Sequence, residues 1–241
     1  MRILIVDTAL GACSAGLFEE GRVLGLRSEP MAKGHQEKLG GMVRDAAAEA
    51  GGLGLVDRIG VTVGPGSFTG LRVGLAFAQG LGAGLDRPVV GISTLDGLAA
   101  SVEPEAGRLV AALVDARRGQ VYVRLFRDGA ALGEAEALSL EAAADRILAE
   151  LKAGEDKPLL IGTGGPVLVD AFPERLRGAV LKVLAAPAPE ALAVLASATD
   201  PEKARPRPLY LRAPDAVPPS RLPGQARALA ASAASGPGEG S

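Results

Sequence analysis

Between Arg58 and Gly97 the chain runs from a short β-branched segment, Ile59-Gly60-Val61-Thr62-Val63, through Gly64-Pro65-Gly66-Ser67-Phe68-Thr69-Gly70-Leu71-Arg72-Val73-Gly74, into a stretch almost free of charge that ends at Leu85. Val61 and Val63 flanking Thr62, followed by Gly-Pro-Gly, predict a buried strand that stops at a turn. Ser67 or Thr69 can accept a hydrogen bond from the free amides of the next turn, so a helix starting near Gly70 has a cap available. From Leu71 to Leu85 the strongly polar side chains are Arg72 and Gln79. Gly70, Gly74, Ala78 and Gly82 recur at every fourth position, a stripe on which another backbone can approach closely. Each interior glycine costs about 0.8–1 kcal/mol relative to alanine, so Gly74, Gly80 and Gly82 together weaken the isolated helix by about 3 kcal/mol. Close packing must offset this, either inside the chain's own domain or against a partner chain.

With 241 residues the chain can hold one or two domains. Its formal net charge of −2 does not advertise nucleic-acid binding, which leaves only a local basic patch for that role. A single cysteine, Cys13, excludes an internal disulfide, and a single histidine, His35, leaves little for a His/Cys zinc site. The apolar run Ile3 to Val6 is too short for a signal-peptide core, and Val73 to Leu85 is too short for a membrane helix. A cytoplasmic protein without a membrane anchor is expected.

Ile3–Val6, Cys13–Phe18 and Val23–Leu26 read as a three-stranded meander with a turn at Glu19-Glu20-Gly21-Arg22. Leu39, Met42, Val43, Ala46, Ala47 and Ala50 have helical spacing, which predicts a helix from about His35 to Ala50, stopped by Gly51-Gly52. A strand at Val89–Ile92 and a helix from Ser93 or Thr94 follow. A shift of 108 residues without a gap then repeats the opening: Val6-Asp7 falls on Val114-Asp115, Gly11 on Gly119, Leu17-Phe18 on Leu125-Phe126, and Gly21 on Gly129. Two copies of a strand-rich unit, each followed by helices, predict a duplicated α/β protein: one lobe over 1–104, another over 105–212. The composition beyond 213 is mostly Ala, Pro, Gly and Ser, which predicts a disordered tail over 213–241.

Each copy opens with an acid at the end of its first strand, Asp7 and Asp115. A pseudo-twofold would set the two across a cleft, where they could hold the water shell of a magnesium nucleotide, while turn capping is an equally good use for them. Thr8-Ala9-Leu10 and Ala116-Arg117-Arg118 are bulkier than a phosphate cradle wants. There is no Walker A or dinucleotide-binding pattern, and no nucleophile with a neighbouring base can be read.

Four segments carry a resemblance: Gly64 to Gly74, Gly91-Ile92-Ser93-Thr94-Leu95-Asp96-Gly97, Asp115-Ala116-Arg117-Arg118-Gly119-Gln120-Val121-Tyr122, and Pro208-Leu209-Tyr210-Leu211-Arg212. Together they resemble the TsaB (YeaZ) family over residues 1 to 213. The resemblance implies a duplicated ribonuclease-H-like core of the actin/Hsp70/acetate kinase type, with two mixed-sheet lobes and flanking helices. It further implies a noncatalytic subunit that serves TsaD, the catalytic subunit placing a threonylcarbamoyl group on N6 of adenosine 37 in tRNAs reading codons that begin with A. The other partners it implies are TsaE, an ATPase, and tRNA through the complex, with a homodimer as a further possibility. ATP and magnesium belong to the complex, and no cofactor is expected on this chain alone. TsaD-like proteins carry a His-x-x-x-His metal site; here His35 takes the first place and Leu39 the second, so no metal is expected. Partner contacts are expected from the helices His35–Ala50 and Gly70–Leu85, with His35, Leu39, Met42, Leu71, Gly74, Leu75, Phe77, Ala78 and Gly82 as the candidate interface. The alternatives are a nucleotide-binding phosphotransferase using Asp7 and Asp115, or a metallopeptidase of the same superfamily.

Overall fold

A computed structural model describes residues 1–151 and 157–212; the tail expected over 213–241 lies outside the described residues. The first half runs β1 (Arg2–Asp7), β2 (Ala12–Glu19), β3 (Arg22–Pro30), α1 (His35–Glu49), β4 (Arg58–Gly64), α2 (Phe68–Leu85), β5 (Val89–Ser93) and α3 (Thr94–Ala100). The second runs β6 (Leu109–Arg117), β7 (Gln120–Arg127), β8 (Ala130–Ala131), β9 (Glu136–Ser139), α4 (Leu140–Glu150), β10 (Leu159–Ile161), α5 (Gly164–Ala171), β11 (Val180–Lys182) and α6 (Pro189–Ala198). The first sheet has the order β3-β2-β1-β4-β5 and the second β11-β10-β6-β7-β8, with β9 also on β7. In each, an antiparallel hairpin leads; β3, or β8 and β9, extend it antiparallel beyond its second strand, and β4 and β5, or β10 and β11, join parallel on the side of the first. This is the duplicated α/β architecture that the repeat predicts, with the ribonuclease-H-like mixed sheets that the resemblance implies.

The continuous apolar run of β1 is explained by burial on both faces. Leu4 and Val6 pack with α1 and α2 through Leu39, Met42, Val43, Leu75 and Ala78. Ile3 and Ile5 pack with α6 through Leu192, Ala193 and Ala196. In the second sheet Leu109, Ala111 and Leu113 face Ala143, Ala144, Ile147 and Leu168 of α4 and α5, while Ala112 and Val114 face Leu95 and Leu98 of α3. The lobes have therefore exchanged a helix: α3 follows the first sheet in sequence and packs on the second, and α6 does the reverse. A boundary drawn by sequence at residue 104 separates each of these helices from the sheet it covers.

The ungapped repeat places the elements correctly but misses the hairpin register by one residue. Asp7 pairs with Ser14, whereas Asp115 pairs with Val121 rather than Tyr122. A bulge between Asp115 and Arg117 takes up the difference, with Arg117 and Arg118 both at positive φ (64° and 54°). One residue of slip exchanges the faces. Asp7 shares its face with Ile3 and Ile5 toward α6, but Asp115 shares its face with Leu109, Ala111 and Leu113 toward α4 and α5. The expected opposition of the two acids across a cleft is thereby corrected.

After α6 the chain returns as a strap over the first lobe. The Gly91 amide donates to the Ala204 carbonyl and the Leu209 amide to the Val63 carbonyl, both at 2.8 Å. The strap then crosses to the second lobe, where the Arg212 guanidinium donates to the Ala116 carbonyl at 3.1 Å.

Candidate functional site

The β1–β2 turn that follows Asp7 is packed against another part of the chain, the loop that opens α2. The Ser67 amide donates to the Ala9 carbonyl and the Thr8 hydroxyl to the Gly70 carbonyl, each at 2.7 Å. A Cβ on Gly66 would collide with the Ala9 carbonyl oxygen, one on Gly70 with the Thr8 carbonyl oxygen, and one on Gly74 with the Thr8 hydroxyl. These glycines exist so that the loop and first turns of α2 can lie directly on Thr8-Ala9. Ser67 caps α2 as expected, accepting from the Gly70 amide at 3.2 Å.

Beneath that plug Asp7 is fully buried. Its Oδ1 accepts from the Ala9 amide at 2.9 Å and the Thr62 hydroxyl at 2.7 Å, while Oδ2 has no hydrogen-bond partner. Burial raises its pKa, and the two hydrogen bonds and the field of His35 only partly oppose this. His35 opens α1, is itself buried, and has an unpartnered Nε2. The Cys13 thiol is pushed up to about 11, by burial first and then by the Asp7 and Glu29 carboxylates. Asp115 is half-buried; its Oδ1 accepts from the Arg117 amide at 2.8 Å, a turn-capping bond. Among the described residues no group of three His, Cys, Asp or Glu side chains is placed to hold a metal ion.

The candidate partner surface needs correction. Leu39, Met42, Leu71, Leu75 and Ala78 are core residues, and His35, Gly74 and Gly82 are buried with them. A Cβ on Gly82 would strike Val89, so the whole Gly70-Gly74-Ala78-Gly82 stripe faces the chain's own sheet and its preceding turn. Phe77 is half-buried, its ring edge 3.8 Å from where a Cβ on Gly40 would sit. The face of α2 left to solvent carries Ala76, Gly80, Ala83 and Gly84, and Gly40 of α1 is exposed beside Phe77. A Cβ on Gly80 or Gly84 would meet nothing within 4 Å. Sequence reasoning missed this second stripe although Ala76-Gly80-Gly84 has the same four-residue spacing as the first. Two stripes of small residues on one helix carry no mark of which is inward.

At the N-terminal end of α2, Phe68 is 50% exposed and Tyr210 of the strap 48% exposed. Their ring centroids are 5.7 Å apart, and the Arg72 guanidinium lies over the Phe68 ring at 3.8 Å from its centroid. No helix among the described residues is long and apolar enough to cross a membrane.

The family model described as TsaD, tRNA N6-adenosine threonylcarbamoyltransferase, matches residues 22–158, more than half of the chain. The Escherichia coli (strain K12) tRNA threonylcarbamoyladenosine biosynthesis protein TsaB is 40% identical over 124 residues, 51% of this chain and 53% of that protein. The match thus spans about half the length of that curated relative. The TsaB of Buchnera aphidicola subsp. Schizaphis graminum is 30% identical over 165 residues, 67% of this chain and 78% of the relative. A crystal structure from Pseudomonas aeruginosa, described as an uncharacterized protein with similarity to peptidase YEAZ, superposes with a TM-score of 0.73 at 34% identity, covering 88% of this chain and 99% of that one.

Proposed function

This chain belongs to the TsaB (YeaZ) family, within the reach of the TsaD family model, and from that premise we propose that it is a noncatalytic subunit in the formation of threonylcarbamoyladenosine in tRNA. Its partner is the TsaD-type transferase that modifies N6 of adenosine 37; TsaE and tRNA join through the complex, and ATP with magnesium is used there. The observation that carries the noncatalytic reading is the plugged β1–β2 turn. Asp7 is buried, and the loop from Gly66 to Gly70 is packed onto the Thr8 and Ala9 carbonyls beside it. A phosphotransferase using Asp7 would need that carboxyl open to its substrate.

The contact with the partner belongs on the outer faces of α1 and α2, around Gly40, Ala76, Phe77, Gly80 and Gly84. Small residues there let a second helix approach closely, and burial of Phe77 adds apolar area. The same face would pair two copies of this chain when the transferase is absent.

The test is reconstitution. Threonylcarbamoyl transfer to a tRNA transcript by the TsaD-type subunit is measured with and without this chain, and with Asp7→Asn. Transfer is expected to depend on the chain and to be restored equally by the folded Asp7→Asn variant. A folded Asp7→Asn chain that binds the transferase yet fails to restore transfer overturns the noncatalytic reading.

A further inference from the structure

The chain has few aromatic side chains, five phenylalanines and two tyrosines, and no tryptophan. All but two of them are buried or half-buried, and the two exposed ones, Phe68 of α2 and Tyr210 of the strap, touch each other. Each ring is about half open to solvent (50% and 48%). Arg72, one turn along α2, is exposed as well, and its guanidinium lies 3.8 Å from the Phe68 ring centroid. Among the described residues no carboxylate pairs with Arg72.

This cluster continues the outer face of α2. Phe68, Arg72, Ala76 and Gly80 follow one another at four-residue spacing and all four are exposed, so they form one row on the helix surface. On one flank of that row Phe77 lies beside Gly40 of α1. On the other runs the strap, in the direction opposite to α2: the Gln79 side-chain amide donates to the Pro206 carbonyl at 2.7 Å, and farther on Tyr210 meets Phe68 near the start of the helix. The strap is held there by the Leu209 amide, which donates to the Val63 carbonyl at 2.8 Å. Tyr210 is therefore fixed in place by its neighbour and is not needed to pin the strap.

We propose that Phe68, Arg72 and Tyr210 anchor the transferase-type partner on this face: an apolar side chain of the partner rests on the two rings, and a carboxylate of the partner closes on the Arg72 guanidinium. Half-open rings in contact offer the apolar area that an interface anchor buries. Any chain that covers them also takes the neighbouring guanidinium out of water, and a buried cation without a counter-ion is strongly unfavourable. The covering chain must therefore bring an acid. Stacking on Phe68 occupies the guanidinium's face and leaves its N–H edge for two parallel bonds to a carboxylate. A nucleic acid would call for a run of cations against the rings, and the cation in contact with them is Arg72. The proposal rests on the reading of the outer α2 face as the partner contact, and it adds to that face the strap and a charge that the partner must carry.

Sedimentation of the full chain with the TsaD-type subunit, over a series of salt concentrations, tests it. Arg72→Gln and Tyr210→Ala are each expected to weaken association about tenfold, whereas Tyr210→Phe retains it. Arg72→Gln also flattens the salt dependence of the affinity, which a loss of packing alone would not do. Urea unfolding midpoints equal to that of wild type show that the variants are folded; should Tyr210→Ala loosen the strap, Arg72→Gln, which holds nothing in the chain, still decides. Unchanged affinity for Arg72→Gln overturns the anchor, and a loss for Gly80→Leu in the same assay then leaves the helix face standing as the partner contact without it. No association by the wild-type chain overturns both. Transferase affinity unchanged, with loss of self-association or of affinity for a tRNA transcript, would assign the patch to a second copy or to RNA, and either result overturns the proposal.

Discussion

The inward and outward faces of α2 are both lined with small residues and differ in everything that makes small residues useful. Inward, Gly70, Gly74 and Gly82 are pressed against Thr8 and Val89, so that each missing Cβ is space already occupied by another part of the chain. Outward, Gly80 and Gly84 look into solvent, where a Cβ would meet nothing. One helix thus carries the same composition twice, once to let its own fold close and once to leave a surface bare. A stripe of glycine is by itself no evidence for a partner; the atoms opposite it decide.

The largest expected effect breaks that contrast from the inside. Gly70→Ala drives a Cβ into the Thr8 carbonyl oxygen, a backbone atom that cannot rotate away, and should destabilise the chain by about 3 kcal/mol, read as a lowered midpoint in urea unfolding. Gly74→Ala meets the Thr8 hydroxyl, a side-chain atom that can turn aside at the expense of its bond to Gly70, so its loss should be smaller. Equal midpoints for Gly70→Ala and wild type would mean the β1–β2 turn is not held down by α2.

Next in size is the outer face. Gly80→Leu adds bulk where nothing in the chain resists it, so folding should be unaffected while association with the transferase falls at least tenfold, about 1.4 kcal/mol, by sedimentation. The milder Gly80→Ala sharpens the comparison: with no neighbour to strike, it should gain about 0.8–1 kcal/mol in urea unfolding from helix propensity alone. The same chemical change made at Gly70 and at Gly80 is therefore expected to have opposite signs.

Particular residues show how much could be read before any coordinates. Ser67 as a cap, His35 as the start of α1, Gly51 after its end and the repeated hairpins all follow from local chemistry, in which a residue's own φ, hydroxyl or period decides the outcome. The orientation of α2 does not, because Leu71, Leu75 and Phe77 are apolar on adjacent faces and glycine spacing marks two stripes. The register at Asp115 was equally hidden: the bulge that shifts it rests on two arginines in a conformation their identity does not announce. The exchange of α3 and α6 between the sheets is a matter of chain path, which periodicity does not encode. As for the site, the plugged turn could have been suspected from the bulk of Thr8-Ala9-Leu10, but the plug itself, Gly66 to Gly70, was read as a separate motif.

The smallest effect concerns the carboxyl sealed under the inner face, and its sign follows from the direction of its shift. Burial raises the folded-state pKa of Asp7 above its ordinary value of 3.8, so over the interval between those two values the folded chain binds more protons than the unfolded one. Stability contributed by this group is then present at and below the unfolded pKa and is lost as pH rises through the folded pKa. Asp7→Asn keeps an oxygen to accept from the Ala9 amide and the Thr62 hydroxyl but carries no charge to desolvate. Its melting temperature should exceed that of wild type at neutral pH, with the gap closing as the solution is acidified toward pH 4. A gap that widens on acidification would mean that Asp7 is held as a carboxylate by a partner inside the turn, most directly His35, whose Nε2 is otherwise unpaired. The inner face of α2 would then cover a buried ion pair and not a neutral acid.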